Sequence, residues 1–349
     1  MRKDVKIQMA RITFFIGNGF DINVGLDTRY KDFYKYYITE NPEDKLAQAI
    51  NSDYEYWSDL EEGLGKYTAK VTPEEEDSFW ESEDKLEQAL ADYLELQMHR
   101  ISAEDDDKKD RIAKIMQKSL NQFHAELPKE QKQNIDNIIA NIRESITYAF
   151  VSFNYTNALD TCVKITKEKI PNGFGTHRTS YSTYSHSIDT ILHIHGTTTE
   201  EMIVGVNDDS QIANEKFRNN SLYCQWMIKS STNQRFSQNK IQELKNIIDS
   251  SSIICIFGMS IGKTDKMWWE HICKWLKGNV NRRLVIYVKR NTEEVKRITK
   301  RVLFINQNEV LDRMKTFSGL KDEEWNDVSL QIYIKFDTNI FNFNLVEEK

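Results

Sequence analysis

The stretch FFIGNGFDINVGL, residues 14–26, begins with an apolar run and then turns through two glycines that flank an asparagine. An apolar run that leads directly into Gly-x-Gly is typical of a buried strand, a sharp turn and a helix in an α/β protein. Such a turn can direct backbone N–H groups at a phosphate, or it can serve only as a tight connection. Both interpretations are open at this point.

The glycine spacing argues against two common nucleotide-binding fingerprints. The dinucleotide fingerprint GxGxxG needs a third glycine at position 22, where this chain has Ile22, and Gly25 comes too late. The Walker sequence, GxxxxGK followed by Ser or Thr, does not occur in the chain. A dehydrogenase-type site and a P-loop are therefore not expected.

Short runs rich in Ile, Val, Phe and Tyr recur along the chain and predict strands. They lack strict alternation, which suits strands that are buried on both faces of a parallel sheet. The predicted strands are residues 11–16, 147–153, 189–195, 202–206, 252–257, 283–288 and 330–336. The pattern favours a Rossmann-like α/β fold with a mostly parallel sheet flanked by helices.

A long segment without strand signals separates the first two predicted strands. Apolar residues at helical spacing predict three amphipathic helices in it, around residues 86–98, 112–123 and 135–146. We therefore divide the chain into a nucleotide-binding core, residues 1–69 and 148–349, and a helical insertion or subdomain, residues 70–147.

The charge and cysteine content limit the classes of partner. With 47 Lys and Arg against 54 Asp and Glu, the net charge of −7 gives no general attraction to nucleic acid or anionic lipid. No apolar stretch is long enough to span a membrane and no secretory signal is evident, so we expect a cytoplasmic protein. The four cysteines form no CxxC pair, and we expect neither a disulfide framework nor a metal site.

FNYTNAL, residues 153–159, follows the second predicted strand directly. Ligands of open parallel sheets bind at the carboxyl ends of strands, so Asn154, Tyr155 and Thr156 are expected at that edge. The amide of Asn154 both donates and accepts, so it could hold a ribose hydroxyl or an attacking water. Capping of the following helix is the alternative role.

LHIHG, residues 192–196, ends another predicted strand. Because successive side chains of a strand point to opposite faces, His193 and His195 are expected on the same face of that strand. Only His195 adjoins the loop, where Gly196 lets the backbone turn. His195 is the acid–base candidate because an imidazole titrates near neutral pH. His193 is predicted to be a satisfied, partly buried histidine.

IFGMSIGKTD, residues 256–265, ends a third strand with Gly258, Ser260 and Asp265, where small residues would let a ligand approach and Asp265 could bind a ribose or cap a helix. Strand ends that offer Gly, Asn, His and Gly/Ser in turn would fit one concave site across the rim of the sheet. The WSDLE stretch, residues 57–61, is interpreted as a helix with a buried Trp57 and solvated carboxylates.

In this order, IGNGFD, WSDLE, SFNYTNALD, HIHG and IFGMSIGKTD resemble the AbiH family, bacterial proteins named for phage abortive infection. AbiH proteins are in turn distantly similar to sirtuin-like NAD-binding domains. By that resemblance Gly17 and Gly19 would approach the pyrophosphate of NAD⁺, and Asn154 and His195 would match the catalytic asparagine and histidine. True deacylases carry a four-cysteine zinc module that this chain lacks, so protein deacylation is not expected.

The resemblance implies an anti-phage effector that binds and hydrolyses NAD⁺ at the nicotinamide–ribose bond, with Asn154 and His195 as catalytic residues. The residues expected to contact NAD⁺ are Gly17, Asn18, Gly19, Phe20, Asp21, Tyr155, Thr156, Gly196, Gly258, Ser260 and Asp265. The expected partners are the nucleotide, a phage-derived trigger or partner protein, and further copies of the chain in a homo-oligomer.

Two alternatives remain open. The first is a non-catalytic sensor of NAD or ADP-ribose that acts through a partner. The second is a metal-dependent nuclease toxin, in which Asp21, Asp59, Glu61 and His195 would gather around a divalent metal.

Overall fold

The computed structural model describes residues 10–101, 105–235, 239–290 and 299–343, built around a seven-stranded sheet. The strands are β1 (Ala10–Ile16), β2 (Ile146–Ser152), β3 (Gly175–Arg178), β4 (Thr183–His193), β5 (Ser251–Phe257), β6 (Arg283–Val288) and β7 (Ile332–Phe336). Their spatial order is β3-β4-β2-β1-β5-β6-β7, and every neighbouring pair is parallel except β3 and β4. The predicted α/β class with a mostly parallel sheet is confirmed.

Helices connect the strands and cover the sheet. They are α1 (Gly19–Val24), α2 (Tyr30–Glu40), α3 (Lys45–Ser52), α4 (Leu60–Tyr67), α5 (Glu76–Met98), α6 (Asp106–Asn121), α7 (Lys129–Asn141), α8 (Ala158–Lys169), α9 (Glu215–Arg218), α10 (Ser221–Met227), α11 (Lys229–Arg235), α12 (Lys240–Asp249), α13 (Lys266–Lys277), α14 (Lys300–Thr316) and α15 (Asp322–Ser329). Among the described residues, no helix has the length and apolar character that crossing a bilayer requires.

The strand β1 lies at the centre of the sheet and is buried on both faces. Phe14 packs into a cluster beneath α6 and α8, while its neighbour Phe15 packs into a cluster beneath α12 and α13. Because successive side chains of a strand point to opposite faces, two apolar layers require a continuous apolar run. This explains why RITFFI lacks alternation.

One predicted strand is wrong and one hairpin went unpredicted. Residues 202–206, MIVGV, form no strand; only Val206 makes an isolated bridge, to Ile228. Val204 and Val206 instead pack into an apolar cluster with α2, α3 and α5, so the run is apolar for a different reason. The strand predicted at residues 189–195 is the second half of β4, whereas β3 and the first half of β4, which pair as an antiparallel hairpin at the sheet edge, have a polar sequence and gave no signal.

The three helices predicted between β1 and β2 are confirmed as α5, α6 and α7. Ile146, assigned by its spacing to the last of them, is instead the first residue of β2. The helix α5 packs on α2 and α3, and α6 packs on α8. The division of the chain into a core and an insertion stays a prediction.

Candidate functional site

A cavity of about 180 Å³ lies at the carboxyl ends of the central strands. Its lining comes from the segments after β1 (Gly17, Asn18), β2 (Phe153, Asn154, Tyr155), β4 (His195) and β5 (Gly258, Met259, Ser260, Asp265), together with Tyr30, Asp59, Glu61 and Lys229. In the sheet, β1 lies between β2 and β5. The chain adds β2, β3 and β4 on one side of β1 and then β5, β6 and β7 on the other, so the direction of the connections reverses at β1. Open α/β sheets bind ligands where connections diverge in this way.

The structure brings together eight of the residues singled out in the sequence. They are Gly17, Asn18, Asn154, Tyr155, His195, Gly258, Ser260 and Asp265. Five others do not line this cavity: Gly19, Phe20, Asp21, Thr156 and Gly196. Phe20 is a core residue, and Asp21 and Thr156 lie behind Asn154. The assignment of these thirteen residues to a ligand stays a prediction.

The glycines of the turn after β1 allow two loops to pack backbone against backbone. The Gly17 N–H donates to the Phe257 carbonyl at 3.0 Å, and the Gly19 N–H donates to the Gly258 carbonyl at 2.9 Å. A Cβ on Gly19 would lie 2.5 Å from the Cα of Gly258, whose φ of +72° itself favours glycine. Both N–H groups are thus engaged within the protein rather than directed at a ligand.

Asp21 is a buried anchor for Asn154. One carboxylate oxygen accepts from Asn154 Nδ2 at 2.9 Å, and the other accepts from Thr156 Oγ1 at 2.7 Å. Burial raises the pKa of Asp21 to about 7, against the lowering effect of those two hydrogen bonds. Asn154 Nδ2 also donates to the Gly17 carbonyl at 3.1 Å. The amide does not cap α8, which begins at Ala158; its orientation is set by Asp21 and Gly17.

The two histidines of LHIHG have different environments. His193 Nε2 lies 2.8 Å from Asp160 Oδ2, and its Nδ1 lies 3.3 Å from the Asn154 carbonyl oxygen, so its prediction as a satisfied histidine is confirmed. The strand β4 ends at His193, and the expected shared face does not continue to His195. His195 packs edge-on against Phe153 at 5.7 Å between ring centroids and lines the cavity.

His195 is buried, and its Nδ1 has no hydrogen-bond partner in the part of the chain that the structure describes. Burial first, and then the nearby Lys229 and Lys240, hold its pKa well below the usual value of 6.5. The imidazole is therefore neutral near pH 7, with a ring nitrogen able to accept a hydrogen bond.

A buried ion pair forms the far wall of the cavity. Lys229 Nζ lies 2.5 Å from Glu61 Oε1, and Tyr155 Oη donates to the same oxygen at 3.0 Å. The expectation of solvated carboxylates in WSDLE is wrong for Glu61, which is buried, while Asp59 caps α4 by accepting from the N–H groups of Glu61 and Glu62. Trp57 is buried as predicted. Lys229 was missed because nothing in its local sequence distinguishes it.

Asp265 completes the acidic side of the cavity. Burial raises its pKa to about 7, with Lys229 opposing and Glu61 and Asp59 reinforcing that rise. Its side chain makes no capping hydrogen bond to α13, and within the described residues its carboxylate accepts no hydrogen bond at all. A partly buried carboxyl with a pKa near 7 and a neighbouring charge is a typical functional-site feature.

Three of the four residues of the nuclease alternative, Asp59, Glu61 and His195, line the first cavity, but the four are not arranged around a metal ion. Asp21 is tied to Asn154 and Thr156, Asp59 caps α4, and Glu61 pairs with Lys229. Over the described ranges, no group of three His, Cys, Asp or Glu side chains is placed to hold a metal ion. The geometry gives that alternative no support.

A second cavity, of about 260 Å³, adjoins the first and shares His195 and Lys229 with it. Its remaining wall comes mainly from the start of α13 and from residues that precede β5. The polar segment 207–250 supplies Asn207, Asp208, Lys229, Ser230 and Ile241 to this cavity.

Comparison with known proteins gives one family. The family model described as "Bacteriophage abortive infection AbiH" matches residues 13–288, which run from β1 to the end of β6 and include every cavity residue named above. A search of curated proteins gives no significant match.

Proposed function

This chain belongs to the AbiH family of bacteriophage abortive infection proteins, and we propose that it acts by binding NAD⁺ and hydrolysing the nicotinamide–ribose bond. The observation that carries the proposal is the position of Asn154 and His195 in one cavity at the divergence point of the sheet. This is the chemistry expected from a distant similarity to sirtuin-like NAD-binding domains.

The reaction needs positioning and charge more than a strong nucleophile. The bond between the ribose C1′ and the nicotinamide nitrogen breaks, and its electron pair remains on the nicotinamide, which becomes neutral. Positive charge develops on the ribose, a water oxygen bonds to C1′, and the water gives up one proton. Asp59, Glu61 and Asp265 outnumber Lys229 in this cavity, and their net negative charge would stabilise a cation-like transition state.

Each side chain has a role that its contacts permit. The amide hydrogens of Asn154 are held by Asp21 and the Gly17 carbonyl, so its oxygen is the atom free to accept from the attacking water. Neutral His195 accepts a hydrogen bond from a ribose hydroxyl. We assign the water's proton to Asp265, because a carboxylate with a pKa of about 7 is a base matched to neutral pH.

The direct test is nicotinamide release from NAD⁺ by the pure protein, with and without extract of phage-infected cells. We expect equal amounts of nicotinamide and ADP-ribose, and a loss of roughly 100-fold or more in Asn154→Ala and in His195→Ala. His193→Gln is the matched control, because His193 belongs to the same motif but bonds to Asp160. It should keep most of the activity.

Two outcomes would overturn the mechanism: no turnover by wild type in any condition, or full turnover by both Asn154→Ala and His195→Ala. Tight binding of NAD⁺ without product would identify the sensor alternative instead.

A further inference from the structure

The two cavities that meet at His195 and Lys229 differ in charge. The first contains three carboxylates, Asp59, Glu61 and Asp265, and one lysine, the shared Lys229, which is paired with Glu61. Apart from Lys229, the second contains two lysines, Lys263 and Lys266, and two carboxylates, Asp208 and Glu270. A ligand that spans both would therefore meet an excess of carboxylates on one side of His195 and two further lysines on the other.

Two lysines of the second cavity, Lys263 and Lys266, are available to a ligand, whereas Lys229 is paired with Glu61. Lys263 has no acidic partner anywhere in the described part of the chain, and Lys266 has only a long contact, 3.7 Å, with Glu270 on the next turn of α13. Exposed pairs of this kind are weak, so an incoming anion can displace them. The Asp208 carboxylate accepts from the Ser210 N–H at 2.9 Å and is partly engaged.

Positively charged side chains also lie near His195. After burial, the charges that act on this imidazole are those of Lys229, which lines both cavities, and of Lys240, which adjoins Ile241 of the second cavity. An anionic group placed beside His195 on this side would therefore be attracted by several cations.

The turn after β1 is a poor place for a phosphate by comparison. The N–H groups of Gly17 and Gly19 are already donated to the Phe257 and Gly258 carbonyls. The adjoining cavity would bring the negative charge of a phosphate close to Asp59, Glu61 and Asp265. The volumes also favour a ligand that spans both cavities, because neither cavity alone reaches the roughly 300 Å³ at which small-molecule pockets begin.

We infer that the second cavity is a pyrophosphate subsite, in which Lys263 and Lys266 bind the phosphates of a dinucleotide whose nicotinamide ribose occupies the first cavity. This inference rests on the proposed function. It replaces the expectation that the phosphates lie on the Gly17–Asp21 turn, and it makes His195 and Lys229 the boundary between the sugar and the phosphates.

The test is calorimetric titration of ADP-ribose into the full chain and its variants. We expect the double variant Lys263→Ala, Lys266→Ala to bind about tenfold more weakly or worse, and the double arginine variant at the same positions to restore most of the affinity. Lys274→Ala is the matched control, since Lys274 is an exposed lysine near the opposite end of α13. It should bind like wild type.

Equal affinity of wild type and the double alanine variant would overturn the subsite, as would an absence of ADP-ribose binding by wild type. The two proposals fail separately. Lysine-dependent binding of ADP-ribose without NAD⁺ turnover would sink hydrolysis and leave the subsite, whereas turnover with lysine-independent binding would sink the subsite alone.

Discussion

The turn after β1 and the wall formed by His195 and Asp265 border the same cavity but use their polar groups in opposite ways. In the turn, the N–H groups of Gly17 and Gly19 and both oxygens of Asp21 are paired within the protein. In the wall, His195 Nδ1 and the Asp265 carboxylate have no hydrogen-bond partner among the described residues.

This difference distinguishes residues that stabilise the fold from residues that could bind a ligand. Buried polar groups are almost always paired, and leaving one unpaired costs stability. The turn therefore follows the general rule for a folded interior. In the wall, His195 Nδ1 departs from that rule, and the partly buried Asp265 carboxylate lies at the cavity surface, where a ligand could contact it. The glycine-rich turn is the more conspicuous feature of the sequence, yet the groups without a hydrogen-bond partner belong to the segments after β4 and β5.

The largest expected effect is in the turn and is one of stability. Gly258→Ala would place a Cβ 2.8 Å from the Cα and N of Gly19, at a φ of +72° that disfavours any side chain. We expect a loss of about 3 kcal/mol or more in the free energy of unfolding, measured by chemical denaturation.

The control for this change is Gly278→Ala. Gly278 has a right-handed φ of −67°, and the nearest atom to its added Cβ is the terminal Nη1 of the Arg282 side chain, at 3.0 Å. We expect a change below about 1 kcal/mol there. A similar, small loss for both variants would show that the close contact of the two loops does not limit stability.

The next effect tests the anchor of Asn154. Asp21→Ala leaves the donors of Asn154 and Thr156 unpaired in a buried position, and we expect a loss of about 2–4 kcal/mol. Asp160→Ala is the matched control, because it also removes a carboxylate partner, but one that is partly exposed to solvent and pairs with His193. Its loss should stay below about 1 kcal/mol. Equal losses would remove the distinction between anchor and surface pair.

The smallest effect lies in the wall and depends on pH. The pKa of Asp265 is raised from 3.8 to about 7 in the folded protein, mainly by burial. Between those pH values the folded state holds a proton that the unfolded chain has released. The stabilisation is therefore present at low pH and lost as the pH rises toward 7. Relative to wild type, we expect Asp265→Asn to gain about 2 kcal/mol of unfolding free energy between pH 5 and pH 8.

Denaturation at both pH values measures this gain, and the exposed Asp312→Asn serves as the control that should follow wild type. The difference in unfolding free energy between Asp265→Asn and wild type could instead be the same at pH 5 and pH 8. That result would mean that the carboxylate of Asp265 is solvated and is no better matched to proton transfer than a surface acid.

The local sequence predicted the central strands well because a strand that is buried on both faces of a parallel sheet is apolar along its whole length. RITFFI, TYAFVSF and SIICIF are apolar on both faces, and they form β1, β2 and β5. MIVGV has the same composition but lies on a layer of helices, and composition does not report which apolar surface a segment covers. The polar hairpin formed by β3 and the first half of β4 depends on pairing at the sheet edge, and the local sequence of these residues does not predict that pairing.

Candidate residues were predictable where a motif ends a strand. Asn154, His195 and Gly258 could be found in this way, since the carboxyl ends of parallel strands meet at one edge. Tyr30 and Lys229 reach the same cavity from helices, and no local pattern marks them.

The sequence by itself determined the central strands and the order of the strand-end motifs, because these depend on a residue and its near neighbours. The tertiary structure alone decided which polar groups are paired. Glu61 meets Lys229 and Asp21 meets Asn154 across more than a hundred positions, while His195 and Asp265 meet no partner within the described residues. Pairing depends on which atoms distant segments bring within about 3 Å, and only the folded chain sets that distance.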